Sequence, residues 1–575
     1  MHRLVIYPEE KEIFSERENL LKILQENGVY INSVCGGKGW CGKCKILIRD
    51  GNPPPITEIE KKILSREEIE NGVRLACQVI LENSLKIDIL NRFNNIKILK
   101  RFNLNLDVPL NPVIFLEPFS LPPPSISDQR SDLERIFCYI KEKSIKNINL
   151  LRKIPKFLRE NNFEGKFVIY NDEIIDIREK EFSNPLGIAF DIGTTTLVGY
   201  LLDLKEGKEI EVISDINPQF KFGSDVISRI NHIMISKDGI KDLRESLIYS
   251  LKEMIIKLCV KNRISPLDIY AFSFVGNPTM IHIFLGITPE YIAISPYIPV
   301  ISSGMSFYAK ELDFDISPYA KIYIIPNISG YVGGDILAGI LATNLWKDEG
   351  NLLLVDVGTN GEIVLKTDDG IFSCATAAGP AFEGGNITYG MIASEGAIDH
   401  VWIEKGEVKF SVIGGGKERG ICGSGIVDAI SVMLDLNIID NRGKFIKEEP
   451  FFLGNVKITQ KDVREIQLAK SAIRSGIEIL LKTAGKNFED IDKVYLAGAF
   501  GNYMRKESAI RIGLLPPIHM EKVEVVGNSA GKGGELVLLN KEYMEIVEKI
   551  SKMIRYIELS AEKDFQEYFI EFIYF

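Results

Sequence analysis

The sequence predicts a multidomain protein: a small α+β unit at the N-terminus, a short proline-rich linker, a small α/β middle domain and a large α/β unit of two lobes. Three observations predict it. Four of the eight cysteines fall before residue 80, six prolines crowd residues 109–124, and the remaining chain contains two distant copies of an apolar strand ending in Asp-x-Gly-Thr. A chain of 575 residues also exceeds what one hydrophobic core covers, and domain sizes suggest roughly three or four units. The expected boundaries are 1–92, 93–124, 125–184 and 185–575.

Composition limits the classes of function. Apolar residues make up 45% and charged residues 26%, as in an ordinary folded protein. A net charge of -10 provides no basic footprint for nucleic acid or for anionic lipid, so neither is an expected partner. No stretch approaches the ~20 apolar residues that span a bilayer, and Met1 is followed by a short strand-like segment and charged residues rather than a signal peptide. The expected location is the cytoplasm. Disulfides are disfavoured there, so the cysteines read as metal ligands, reactive thiols or small buried residues.

The linker, whose prolines run from Pro109 to Pro124, shows no regular apolar period and reads as semi-rigid. Residues 125–184 alternate helical signals with a hairpin turned at Asn171-Asp172. Beyond Pro185, strands alternate with helical stretches such as Val463–Thr483, an α/β pattern. Within it, residues 188–196 read IAFDIGTTT and residues 353–362 read LLVDVGTNGE, an internal repeat that implies two related lobes.

Cys35, Cys41 and Cys44 stand in CGGKGWCGKC, and Cys77 follows far downstream in RLACQ. A 2Fe-2S centre needs four thiolates, and this spacing takes three from one tight loop and the fourth from a distant strand, as in a β-grasp ferredoxin. Gly36, Gly37, Gly39 and Gly42 let the backbone pass close to inorganic sulfide. The alternative is a four-thiolate zinc site, but zinc ribbons present two C-x2-C knuckles and this segment has one. Five residues separate Cys35 from Cys41, so the loop resembles the adrenodoxin and putidaredoxin branch more than the plant-type one. Trp40 reads as a packing residue.

Asp191 and Asp356 each end a strand and precede Gly and Thr, which suits two phosphate loops facing one another across a cleft. The loop amides around Gly193, Gly358 and Asn360 and the hydroxyls of Thr194, Thr195 and Thr359 are candidates to hold phosphate oxygens. The two carboxylates would hold a hydrated Mg2+. These motifs resemble phosphate 1 and phosphate 2 of the acetate kinase, sugar kinase, heat-shock chaperone and actin (ASKHA) superfamily. That resemblance implies ATP as ligand and the two aspartates as its metal-coordinating pair. Its adenosine motif is matched by YLAGAFG at residues 495–501, where Gly498 and Gly501 would let a flat base lie on the backbone. GICGSG at residues 420–425 opens an apolar helix whose N-terminal amides, at Gly423 and Ser424, face phosphate or ribose unless Ser424 is simply its cap. Cys422 and Cys374 read as small buried residues. Asp335 begins a helix between the phosphate loops and is the candidate for positioning the lytic water, with an ordinary first-turn acid as the alternative.

The order of units resembles the reductive activators of corrinoid proteins, which use ATP to return Co(II) cobalamin to Co(I). NPQ at 217–219, SDVISRI at 224–230, VGNPTM at 275–280, GYVGGD at 330–335, AAGPAFEG at 377–384 and GNSA at 527–530 extend the match over nearly the whole chain. The resemblance implies a 2Fe-2S cluster, ATP and Mg2+ as cofactors, a corrinoid protein as electron acceptor and a reductase or ferredoxin as donor, and it leaves a homodimer open. No cysteine follows Cys422, which disfavours the branch with a C-terminal 4Fe-4S module. Three alternatives remain at this stage: a small-molecule kinase, an activator of 2-hydroxyacyl-CoA dehydratases, and a nucleotide-binding redox sensor.

Overall fold

The computed structural model describes the chain except for Glu9, Tyr30, Asn32, Val34, Cys35, Gly36, Lys38, Trp40, residues 91–100, Asn105, Asp107, residues 315–317, Thr359, Asn502 and the side chains of Ala499 and Phe500. At the N-terminus, His2–Tyr7 and Lys11–Ser15 form an antiparallel hairpin. His2–Tyr7 also pairs in parallel with Leu85–Ile89, and Lys45–Gly51 and Val73–Leu75 complete a five-stranded mixed sheet. Period-two alternation buries Leu4, Ile6, Ile46, Leu85 and Ile87 on the face that receives Leu20, Ile23 and Leu24 of the helix Leu20–Glu26. Asn19 starts that helix by accepting the Leu21 amide at 3.1 Å. The result is the expected β-grasp unit.

A buried ion pair ties this unit to its last cysteine. Arg74 donates from Nε and Nη2 to the two carboxylate oxygens of Glu60, each at 2.9 Å, and from Nη1 to the Pro54 carbonyl at 2.7 Å. Glu60 also accepts the Leu75 amide at 3.0 Å, so the helix Glu58–Ile63 is locked to the strand that leads into Cys77.

The proline-rich stretch differs from the expected linker. Residues 93–100, Asn105 and Asp107 of it lie outside the described residues. The remainder is not a free spacer: Asn103 donates its amide to Val526 O at 3.0 Å, and Asn111 and Val113 donate theirs to Leu539 O and Leu538 O. Ile114–Ser120 is then a strand, at the edge of a three-stranded antiparallel sheet with Glu164–Tyr170 and Glu173–Arg178. The hairpin between the last two turns at Asn171-Asp172, with Asn171 at φ 50°. One face of this sheet packs on the helices Asp132–Tyr139 and Ile148–Glu160, and Phe119 stacks on Phe167 at 4.2 Å. The other face, through Ile114, Val168, Tyr170 and Ile175, joins the core of the large unit.

The large unit has two six-stranded sheets. In the first, Leu186–Ile192 runs antiparallel to Thr196–Asp203 and parallel to Ile269–Gly276. In the second, Leu352–Val357 runs antiparallel to Gly361–Thr367 and parallel to Lys493–Ala497. Both Asp-x-Gly-Thr copies therefore turn hairpins, as the repeat implies. Gly239–Asn262 covers the outer face of the first sheet and Gln460–Thr483 that of the second. The helices Gly334–Ala342 and Ser529–Leu539 lie between the lobes and share one core with strands of both. No helix among the described residues is long and apolar enough to cross a membrane.

Burial pushes the Glu60 carboxyl upward, but the Arg74 guanidinium and the Thr57 and Leu75 amides outweigh it and hold the group below the usual glutamate range. A depressed carboxylate stabilises the fold above its unfolded pKa and loses that contribution as pH falls through its folded value. Glu60→Gln leaves Arg74 a buried cation without its counter-ion, and is expected to cost the N-terminal unit about 3 kcal/mol at pH 7 and less in acid. Pulse proteolysis of that unit in urea at the two pH values checks both.

Candidate functional site

Two sites emerge. In the N-terminal unit Cys44 and Cys77 are buried free thiols, Cys41 lies near them, and the Cys44 thiol is hydrogen-bonded to that of Cys77. That bond first, and burial second, push the Cys44 thiol far above its usual range. Thiols crowded in an apolar setting ionise only when a metal supplies the compensating charge. Gln78 approaches Cys77 Sγ with Nε2 at 3.5 Å, a donor to sulfur of the kind that steadies a ligating thiolate. Gly39 and Gly42 sit at φ +85° and +65°, and a Cβ on them would lie 2.8 Å from Gln78 Nε2 and 2.5 Å from Ile63 Cγ2. Both positions are strained for any residue with a Cβ by their positive φ, and at Gly42 a Cβ would also press on the Ile63 side chain. Cys35, Gly36 and Trp40 lie outside the described residues. Of the four expected ligands Cys44 and Cys77 are in contact and Cys41 lies near them, while among the described residues no three such side chains are grouped closely enough to hold a metal ion.

The second site is a cleft of about 250 Å³ between the two hairpins. Asp191, Gly193, Thr194 and Thr195 enter it from the first hairpin and Asp356, Gly358 and Asn360 from the second. Asp335, Gly423, Ser424 and Gly498 also line it, while Thr359 lies outside the described residues. Gly501 does not reach the cleft: it packs behind, where a Cβ would lie 3.1 Å from Leu496 Cγ. Gly498, at φ +86°, lines the cleft and meets a packing constraint besides the expected seat for a base. A Cβ there would strike the Asp356 carboxylate and lie 2.7 Å from Val357 O, so glycine makes room for the carboxylate itself. Ser424 is not the helix cap either; Cys422 holds that position, and Ser424 Oγ donates to Asp399 O at 2.8 Å.

Electrostatics set this cleft apart. Burial raises Asp191 to about 6 against the opposing bond from Asn528, whose Nδ2 donates at 2.8 Å. Asp335 and Asp356 are each raised to about 7, by burial first and then by neighbouring carboxylates. Glu362, opposite Asp356 in the hairpin register, is raised further by burial and by both of those aspartates. Four acids in one desolvated space cannot all ionise without a cation. Carboxylate oxygens are the donors a hard, hydrated divalent ion takes, and since among the described residues no three are grouped closely enough to hold an ion directly, such an ion would keep water between itself and most of them.

Several residues here carried no role in the sequence reading, although they lie in quoted motifs. Asn217 donates from Nδ2 to Gly193 O at 2.8 Å, and Asn277 from Nδ2 to Thr194 Oγ1 at 3.1 Å. Arg229 is fully buried and donates to Thr194 O at 2.5 Å, to Gly223 O and to Gln219 Oε1. Burial lowers its pKa, yet a guanidinium remains a cation, so positive charge sits directly behind the first phosphate loop. Thr195 Oγ1 donates across the cleft to Glu383 Oε1 at 3.3 Å. Glu362 was legible only as the last residue of the second repeat.

Fold and sites together define a 2Fe-2S β-grasp domain joined to a two-lobed ASKHA unit. Family models match accordingly: a 2Fe-2S iron-sulfur cluster binding domain over residues 5–82, the RACo linker region over 103–184, the RACo middle region over 186–348, and the C-terminal, ASKHA domain of RACo over 350–575. The family's linker region thus includes the small three-stranded unit. The corrinoid activation enzyme RamQ of Eubacterium limosum is 33% identical, over 97% of this chain and 96% of its own length. The [Co(II) methylated amine-specific corrinoid protein] reductase of Methanosarcina barkeri is 25% identical, over 67% and 76%. A solved structure of a reductive activator for corrinoid, iron-sulfur protein aligns with a TM-score of 0.74 at 34% identity, covering 100% of this chain and 98% of the other. The chain belongs to the family of corrinoid reductive activators.

An acid with a raised folded pKa loses stability as pH climbs from its unfolded value, about 4, to its folded value. Asp356→Asn removes that penalty and is expected to stabilise the nucleotide-free protein on the order of 1–2 kcal/mol at pH 8 and not at pH 4, read by thermal unfolding. Arg229→Met is expected to weaken ATP binding about tenfold or more, by calorimetry, because the first loop loses its positive backing.

Proposed function

We propose that the chain reactivates a corrinoid protein by returning Co(II) cobalamin to Co(I), and that ATP held between its lobes drives the step. The observation that carries this reading is the presence of the cysteine set and the opposed phosphate hairpins on one polypeptide, in a chain related along nearly its whole length to a corrinoid activation enzyme. When bound, the 2Fe-2S cluster, held by Cys35, Cys41, Cys44 and Cys77, supplies the single electron. Raising one electron in energy costs about 2 kcal/mol per 100 mV, which a ferredoxin alone does not provide.

The cleft residues take complementary roles. Amides around Gly193, Gly358 and Asn360 and the hydroxyls of Thr194 and Thr195 grip phosphate oxygens, with Arg229 behind them. Asp191 and Asp356 hold a hydrated Mg2+, and Asp335 positions the water that attacks the terminal phosphate. The helix Gly423–Asp435 presents its N-terminus to phosphate or ribose. Nucleotide that binds the closed lobes more tightly than the open ones shifts the chain toward closure, and the difference in affinity is the work available to electron delivery. An upstream reductase or ferredoxin restores the electron, and the setting is the cytoplasm. Cys374 and Cys422 are buried within the second lobe, which does not favour a dehydratase-type cluster between subunits.

The test mixes the reduced protein anaerobically with candidate corrinoid proteins and Mg-ATP, following the Co(II) to Co(I) absorbance change. Conversion is expected only when both are present. Asp356→Ala is expected to keep the cluster spectrum and lose ATP-dependent activation. Cys77→Ser is expected to lose the spectrum while still binding ATP. Activation that survives Asp356→Ala removes the proposed nucleotide role.

A further inference from the structure

One loop of the second lobe meets both the nucleotide cleft and the cysteine loop. Lys43 stands between Cys41 and Cys44, is 7% exposed, and donates from Nζ to the carbonyls of Ile387 and Gly390, the latter at 3.3 Å. The Asp462 carboxylate lies within electrostatic reach of it. Arg419 makes a second tie between the same units, from Nη2 to Leu90 O at 2.8 Å. At the other end of the loop, Glu383 is the residue that accepts from Thr195 across the cleft.

The two ends are in direct backbone contact. A Cβ on Gly384 would lie 2.6 Å from Met391 N, and one on Gly390 would lie 2.8 Å from Gly384 C, so the peptide groups next to Glu383 rest on those that seat Lys43. Between the ends, Thr388 is pinned from outside, its amide and hydroxyl donating to Asp462 Oδ1 at 2.6 and 2.9 Å. A displacement at Glu383 therefore has a fixed point to turn about and a short path to Gly390.

The chemistry of the cleft supplies that displacement. A phosphate oxygen arriving at Thr195 takes the hydroxyl now given to Glu383 and sets negative charge beside its carboxylate. Glu383 then loses a donor and gains a repulsion. At the far end, an ammonium held largely out of water regains its hydration when released, so the seat is readily tipped.

We infer that residues 383–390 form a nucleotide-responsive dock for the cysteine loop, and that filling the phosphate site draws the seat from under Lys43 and frees the face bearing Cys41 and Cys44 for an acceptor protein. The inference rests on the nucleotide reading of the cleft and adds the surface through which it reaches the electron carrier. Linkage makes the effect reciprocal: undocking must strengthen nucleotide binding by the factor with which nucleotide weakens docking.

The test uses the full, cluster-loaded chain with a non-hydrolysable ATP analogue and Mg2+. Hydrogen exchange is measured in peptides spanning residues 41–45 and 384–391, and analogue affinity by calorimetry. The analogue is expected to speed exchange in both peptides of the wild type. Lys43→Met, and Arg419→Met as a second variant remote from the cysteines, are expected to show fast exchange without the analogue and to bind it about fivefold or more tightly. Bound analogue that leaves exchange unchanged, or variants that bind it with wild-type affinity, overturns the dock and leaves the nucleotide reading standing. A wild type that does not bind the analogue overturns both.

Discussion

Repulsion among carboxyl groups held in a space with little water governs the large unit. Asp191, Asp335, Asp356 and Glu362 come from four different elements and are pressed together because both hairpins and the start of the helix Gly334–Ala342 meet at the same cleft. Left without a cation, the group keeps protons near neutral pH, and the fold carries the cost of their confinement. That cost is a mark of a binding site: a packed core would have placed apolar groups there. Strain of this kind is released by a ligand, which is how binding at the cleft acquires leverage over the lobes.

Among the described residues, Arg229 answers this negative cluster with positive charge. Arg229 lies behind the first loop, bonded to backbone and to Gln219, and no carboxylate lies within ion-pair distance of it among the described residues. Phosphate entering between Arg229 and a cation bound by the aspartates would find complementary charge on both sides. Asn217, Asn277 and Asn528 complete the frame with neutral amides, which fix loop geometry without adding to the repulsion.

The remaining units hold the carrier near this engine. The segment 101–113 follows the second lobe as a strap, over its described residues, and the three-stranded unit buries a face in the core shared by both lobes. Arg178 bonds Asp268 at 2.8 Å and Lys321 bonds Glu173 at 2.9 Å, so the unit is pinned to the first lobe as well. Among the described residues, the β-grasp unit meets the second lobe through the Lys43 and Arg419 contacts.

Much of this was legible in the chain because it depends on short spacing. The cysteine loop, the two Asp-x-Gly-Thr hairpins, the Asn171-Asp172 turn and the helix reaching Thr483 are set by residues close in sequence, where backbone freedom and ligand reach impose fixed intervals. The strand Ile114–Ser120 was hidden by its prolines, yet an edge strand tolerates them: Pro118 is exposed and needs no second partner strand. Gly498 and Gly501 looked equivalent in YLAGAFG, and only packing against Asp356 separates them. Glu362, Arg229 and Glu383 gained their roles from apposition of segments far apart along the chain, as did Lys43. The sequence by itself determined which chemical groups are present and how they are spaced locally. The tertiary structure alone decided which of them share one desolvated space, because burial and Coulomb repulsion act through distance in three dimensions and leave no period in a linear string.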